Sequence, residues 1–173
     1  MKKLVGALLL LLLSAACAED PLALAPFPCA EDGSCPASLT CAAGIGDDGS
    51  AVCLPACASS LDCEDGSRCA SVGDTRACLP ECTLFGADCE GATTCRMQAD
   101  AEEGYTATCL AVSAESEMFG ACESSLDCPG NASCVRASQA EPPSCRPQCD
   151  AAHPCRRRMT CEPLLPSGAG VCF

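Results

Sequence analysis

The chain has 173 residues, 21 of them Cys, no Trp, one Tyr and a formal net charge of −13. Cysteine at that density marks a disulfide scaffold, and Leu, Ile, Val and Phe supply only 21 of the 157 residues from Cys17 onward. A conventional apolar core is excluded, with it most conventional enzyme folds, and the acidic balance excludes nucleic-acid binding.

Met1-Lys2-Lys3 places positive charge ahead of the apolar run from Leu4 to Leu13, and Ser14-Ala15-Ala16 supplies small residues before Cys17. This order predicts a secretory signal peptide over residues 1–16. The run is shorter than the about 20 residues that a membrane-spanning helix needs. Export permits disulfides. Leu13-Ser14-Ala15-Ala16-Cys17 resembles the lipobox of bacterial lipoproteins, with Leu13 one place further out than in the common form. The resemblance implies cleavage before Cys17, lipid attachment at Cys17 and a partner in the membrane itself, since two or more acyl chains anchor stably. Ala18 follows where an Asp would favour the inner membrane, so the outer membrane is expected. The alternative is a plain signal-peptidase site with Cys17 as an ordinary cysteine. Cleavage removes both lysines, leaving 8 Arg against 23 acids, or −15. The Pro-rich residues 17–28 read as a tether.

The other 20 cysteines fall in five sets: 29, 35, 41, 53; 57, 63, 69, 78; 82, 89, 95, 109; 122, 128, 134, 145; and 149, 155, 161, 172. Each reads C-x5-C-x5-C-x(8–13)-C, with one extra residue between Cys82 and Cys89. Cys57-Ala58-Ser59-Ser60-Leu61-Asp62-Cys63 and Cys122-Glu123-Ser124-Ser125-Leu126-Asp127-Cys128 agree at six of seven positions. The mature chain is therefore a tandem repeat. Gly66, Gly91 and Gly130 after the second cysteine suit a tight turn. Three joins have a central Pro: Leu54-Pro55-Ala56, Leu79-Pro80-Glu81 and Arg146-Pro147-Gln148. Three residues reach about 10 Å, so adjacent units must touch. Residues 29–109 form a three-unit segment, 110–121 a hinge-like linker and 122–173 a two-unit segment.

The C-x5-C-x5-C spacing, with Asp before the second cysteine and Gly after it, resembles tandem cysteine-rich repeats in surface lipoproteins of Gram-negative soil bacteria. It is also similar to the Dickkopf N-terminal cysteine-rich domain and to plant Stig1-like proteins. Four cysteines allow three pairings. The resemblance implies the crossed one, first with third and second with fourth: Cys29–Cys41 and Cys35–Cys53; Cys57–Cys69 and Cys63–Cys78; Cys82–Cys95 and Cys89–Cys109; Cys122–Cys134 and Cys128–Cys145; Cys149–Cys161 and Cys155–Cys172. The expected fold is small and disulfide-rich: tandem repeats with short β-hairpins and irregular loops, little helix apart from the signal peptide. Mobile insertions are expected at Met97–Thr108 and Leu110–Ala121.

No catalytic or cofactor site emerges. There is no C-x2-C, His153 is the only histidine, and bridged cysteines do not ligate metal. Glu31-Asp32-Gly33-Ser34, Asp47-Asp48-Gly49-Ser50 and Glu64-Asp65-Gly66-Ser67 are acidic turns, none matching an EF-hand loop. His153 has no nucleophile assigned beside it and reads as a surface-loop residue. Arg156-Arg157-Arg158, between Cys155 and Cys161, is the one basic cluster; it suits a phosphate or carboxylate, or simply balances Asp150 and Glu162. Asn131-Ala132-Ser133 fits a glycosylation sequon that would be idle in a bacterium.

The leading reading is a non-catalytic, lipid-anchored envelope protein: a stapled rod presenting loops to a protein or polysaccharide ligand, or serving as a spacer. One alternative is a protease inhibitor whose bait is Arg68, Arg76 or the Arg cluster. Another is a weak calcium-dependent adhesion module.

Overall fold

A computed structural model of the chain describes residues 27–46, 49–102, 104–112, 117–138, 141–156 and 158–173. The signal segment, Cys17 and most of the tether lie outside the described residues.

One unit explains the others. Its first two cysteines sit on a loop, and its third and fourth on the two strands of an antiparallel hairpin. Unit one uses β2 (Leu39–Ala42) and β3 (Val52–Pro55), flanked by the two-residue β1 (Phe27–Pro28). Units two and three use β4 (Ser67–Val72) with β5 (Thr75–Pro80), and β6 (Thr93–Ala99) with β7 (Tyr105–Ala111). Units four and five use β8 (Ala132–Val135) with β9 (Ser144–Cys149), and β10 (Cys161–Pro163) with β11 (Gly170–Cys172). No α-helix occurs among the described residues; two single 3-10 turns cover Ser60–Asp62 and Ser125–Asp127.

The third and fourth cysteines face each other across every hairpin: Cys41 and Cys53, Cys69 and Cys78, Cys95 and Cys109, Cys134 and Cys145, Cys161 and Cys172. Opposed residues share one face of the sheet. Both sulfurs therefore point at the preceding loop, and each bonds to it rather than to its neighbour. In all five units the first cysteine bridges the third and the second bridges the fourth, with Cα–Cα distances between 5.4 and 5.9 Å. Each bridge closes a loop that stabilises by roughly 3 kcal/mol in the chain-entropy account.

The repeated Ser-Ser-Leu-Asp is a capping box. Asp62 Oδ2 accepts from the backbone N–H of Ala58 and Ser59 at 2.8 and 2.9 Å. Asp127 Oδ2 does the same for Glu123 and Ser124 at 2.9 Å each. In unit three, Asp88 accepts from Thr83 N–H at 2.7 Å across the loop with the extra residue. Asp32 and Asp150 hold the corresponding loops of units one and five. Gly66 follows the second cysteine of unit two at φ +82, a backbone region that costs Gly least.

The Pro joins continue strands. β3 and β5 end in Pro55 and Pro80, where a missing N–H is tolerated. β9 runs from Ser144 through Pro147 to Cys149, so it pairs with β8 on one side and β11 on the other, giving the order β10-β11-β9-β8.

The units do not line up as a rod. They gather on the β6–β7 hairpin, because each hairpin buries one apolar stripe too narrow to be covered by its own loop. Ala42, Ala70, Val72, Ala77, Leu79 and Leu110 form one cluster, with Ile45, Leu54 and Leu126 packed against it. Leu84, Cys95, Met97, Ala107, Val135, Ala169 and Val171 form another. Met97 and Thr108, expected in a mobile insertion, are fully buried, and the described residues of that stretch lengthen the hairpin. Thr93, Thr94, Tyr105, Thr106 and Thr108 are β-branched or aromatic, which favours strand. Asp100 Oδ1 closes the turn by accepting from Glu102 and Gly104 N–H.

The described ends of the linker are ordered structure too. Leu110 and Ala111 belong to β7, and Phe119 N–H donates to Cys145 C=O at 2.9 Å. A polar net then fastens unit three to unit four. Ser125 Oγ donates to Met97 C=O at 2.7 Å, and Met97 N–H donates to Ser133 Oγ at 3.0 Å. Gln148 Nε2 donates to Cys95 C=O and Ser133 Oγ. Buried bonds of this kind each contribute about 0.5–1.5 kcal/mol net to holding the two units together.

Candidate ligand-contact cleft

Unit five begins Cys149-Asp150-Ala151-Ala152-His153, and Asp150 accepts from the N–H of Ala152 and of His153 at 2.8 and 2.6 Å. Asp150 Oδ1 also lies 2.9 Å from His153 Nδ1. Burial works against the Asp150 charge, but these hydrogen bonds outweigh it and hold the carboxyl below its usual range. The His153 ring is thereby fixed and stacks on Phe85 of unit three, centroids 4.0 Å apart.

A second aromatic group stands opposite. The Arg146 guanidinium lies 5.6 Å from the Phe119 ring centroid and 5.2 Å from that of Phe173. Both distances suit cation–π contact. Between the two groups opens a cleft of about 510 Å³, its walls including Phe85, Met118, Phe119, His153, Arg156 and Met159. Phe85 and Phe119 are 38% and 49% exposed, so the cleft offers rings to solvent in a chain with only four Phe. Its size is that of a ligand pocket. Aromatic, Met and Arg side chains are the types enriched at the centre of binding surfaces.

Charge is unevenly shared along the chain. Residues 29–109 carry 14 acids against 3 Arg, whereas residues 122–173 carry 5 of each. The cleft belongs mainly to the neutral end. A second concavity of about 480 Å³ near Arg68, Glu81, Asp88 and Asp100 lies on the acidic side.

The other residues singled out in the sequence are dispersed. Arg68 pairs with Glu81 at 2.7 Å, and Arg76 sits within paired β5, opposite Ser71. Neither stands on a free bait loop. Arg156 lines the cleft, Arg158 adopts φ +75, and Arg157 lies outside the described residues. Asp32 is engaged by Ser34, and Asp47 and Asp48 lie outside the described residues. In each unit three cysteine sulfurs come within 4.8 Å of one another, as at Cys122, Cys128 and Cys145. All are bridged, and a metal would need thiolates. Among the described residues no helix is long and apolar enough to cross a membrane. Sequence reasoning missed Phe85 and Phe119 as cleft residues; the signal available was the scarcity of aromatic residues, with only four Phe in the chain.

No family model, curated protein or solved structure matches the chain. The fold and bridges define it as a disulfide-rich protein of tandem hairpin units.

Proposed function

We propose that this is a non-catalytic, exported and lipid-anchored cell-envelope protein, a disulfide-stapled binding module. The observation that carries the reading is the aromatic and arginine cleft, held open by units three, four and five. His153 forms part of the cleft wall, its ring oriented by Asp150 at Nδ1 and stacked on Phe85. The signal-like segment and Cys17 support export and anchoring; the outer membrane is the side proposed. A protein or a polysaccharide of the envelope is the ligand class.

The test has two arms. Mass spectrometry of the N-terminal peptide from native membranes should show an acylated Cys17, and Cys17→Ser should release the protein from the detergent phase. Immobilised envelope polysaccharide and solubilised envelope protein should each be probed with wild type and with Phe85→Ala/Arg156→Ala, both exposed positions. Retention lost in the double variant supports the module. An unmodified Cys17 removes the anchor, and identical binding by both proteins removes the cleft.

A further inference from the structure

Arg96 is fully buried in β6, yet among the described residues no acidic side chain pairs with it. Its Nη1 donates to the backbone carbonyls of Ser125 and Cys128, at the 3-10 turn of unit four. The other edge of the guanidinium, Nε and Nη2, has no hydrogen-bond partner. That edge is the one that grips an anion with two parallel bonds. Burial alone pushes the Arg96 pKa down to about 10, which still leaves it charged at neutral pH.

Two neighbours share the deficit. Among the described residues, the other buried side-chain polar atoms without a partner are Gln98 Nε2 and Thr108 Oγ1. Gln98 is 3% exposed and Thr108 is fully buried. Arg96 and Gln98 alternate along β6 and so share a face. Thr108 is the register partner of Arg96 on β7, on that same face. Four orphaned atoms thus gather on one side of one hairpin, where unit four covers it. Each is a donor, and only the Thr hydroxyl can also accept.

A buried cation with no counter-charge is strongly unfavourable, and the two carbonyls offset only part of its cost. A cation is repelled here. A water would bring two protons of its own into a set of donors. We infer that the Arg96 Nε–Nη2 edge, Gln98 Nε2 and Thr108 Oγ1 bind a small monovalent anion, chloride or a close equivalent, between units three and four. The anion accepts from all four atoms and neutralises the guanidinium. It acts as a clip at the junction that builds the cleft, and it is independent of what the cleft binds.

The test uses the intact oxidised protein in gluconate salts, with chloride or bromide added at constant ionic strength. The melting temperature should rise with halide and saturate. Bromide-soaked crystals should show an anomalous peak at hydrogen-bonding distance from Arg96 Nε and Nη2. Thr108→Val keeps the charge and removes one donor, so its apparent halide dissociation constant should weaken roughly tenfold. Arg96→Met should lose the response altogether; if it does not fold, Thr108→Val and the bromide map decide. A melting temperature indifferent to halide, with water on the Arg96 edge, overturns the inference. So does an unchanged halide response in Thr108→Val, which would mean an adventitious ion only.

Discussion

Leu126 of unit four lies directly over Gly44 of unit one: a Cβ placed on Gly44 would come within 2.5 Å of Leu126 Cδ2. Leu61, the same position of the same motif in unit two, is 95% exposed. One leucine position is therefore used twice, once as an inter-unit contact and once as a solvated side chain. The difference comes from what each unit meets, not from the motif.

Gly44 should be less tolerant than Gly33. Both have positive φ, at +68 and +76, and an Ala there costs about 1–2 kcal/mol in backbone strain. Gly33 has nothing within 4 Å, whereas Gly44 meets Leu126. Denaturant unfolding should show Gly44→Ala more destabilised than Gly33→Ala, and Leu126→Ala should erase the excess. Equal costs would mean that Leu126 is not seated there.

Gly170→Ala should be worse. Its Cβ would collide with the backbone carbonyl of Glu162 on the paired strand β10, and backbone cannot swing aside as Leu126 can. Overpacking of this kind costs roughly 1–3 kcal/mol. Amide exchange should quicken along β10 and β11 while β4 and β5 keep their protection.

Acid should loosen the loops before the hairpins. Hydrogen bonds hold the Asp32, Asp62 and Asp88 carboxyls below their ordinary value of 3.8. A folded pKa that is depressed adds stability above the unfolded pKa, and that stability fades as pH falls through the lower folded value. Melting temperature should thus hold steady above about pH 4 and drop below it. Asp62→Asn should lower the neutral-pH stability and flatten part of the acid drop; an unchanged acid profile would contradict the capping role.

Bridges should matter unequally. Losing one native disulfide from a small domain costs about 2–5 kcal/mol. Cys95 packs in the cluster that joins units three, four and five, whereas Cys29 and Cys41 lie on the outer unit. Limited proteolysis should open Cys82→Ser/Cys95→Ser along its length. Cys29→Ser/Cys41→Ser should be cut in unit one alone.

The repeat was legible because covalent spacing is written in the cysteines themselves, and small hairpins followed from turn residues and the missing core. The Ser-Ser-Leu-Asp motif was legible as a repeat, and its capping role follows from Ser and Asp three places apart. The gathering of units on β6–β7 was not legible. It depends on which apolar stripes meet, and Ala42, Leu79 and Leu110 come from three different units. Met97 to Thr108 read as a mobile insertion because of length, although Tyr105, Thr106 and Thr108 favoured strand. The cleft was hidden because Phe85, Phe119 and His153 are remote in sequence and line one cleft only after the units pack.

The central claim is that bridges inside each unit, rather than an apolar interior, give the chain its shape. Peptide mapping of the oxidised protein under non-reducing conditions, with thiols counted after denaturation, tests it most directly. The account predicts ten bridges, each confined to its own four-cysteine unit, and no free thiol among Cys29 to Cys172. Titratable thiols spread along the folded chain, or fragments linking cysteines of different units, would contradict it.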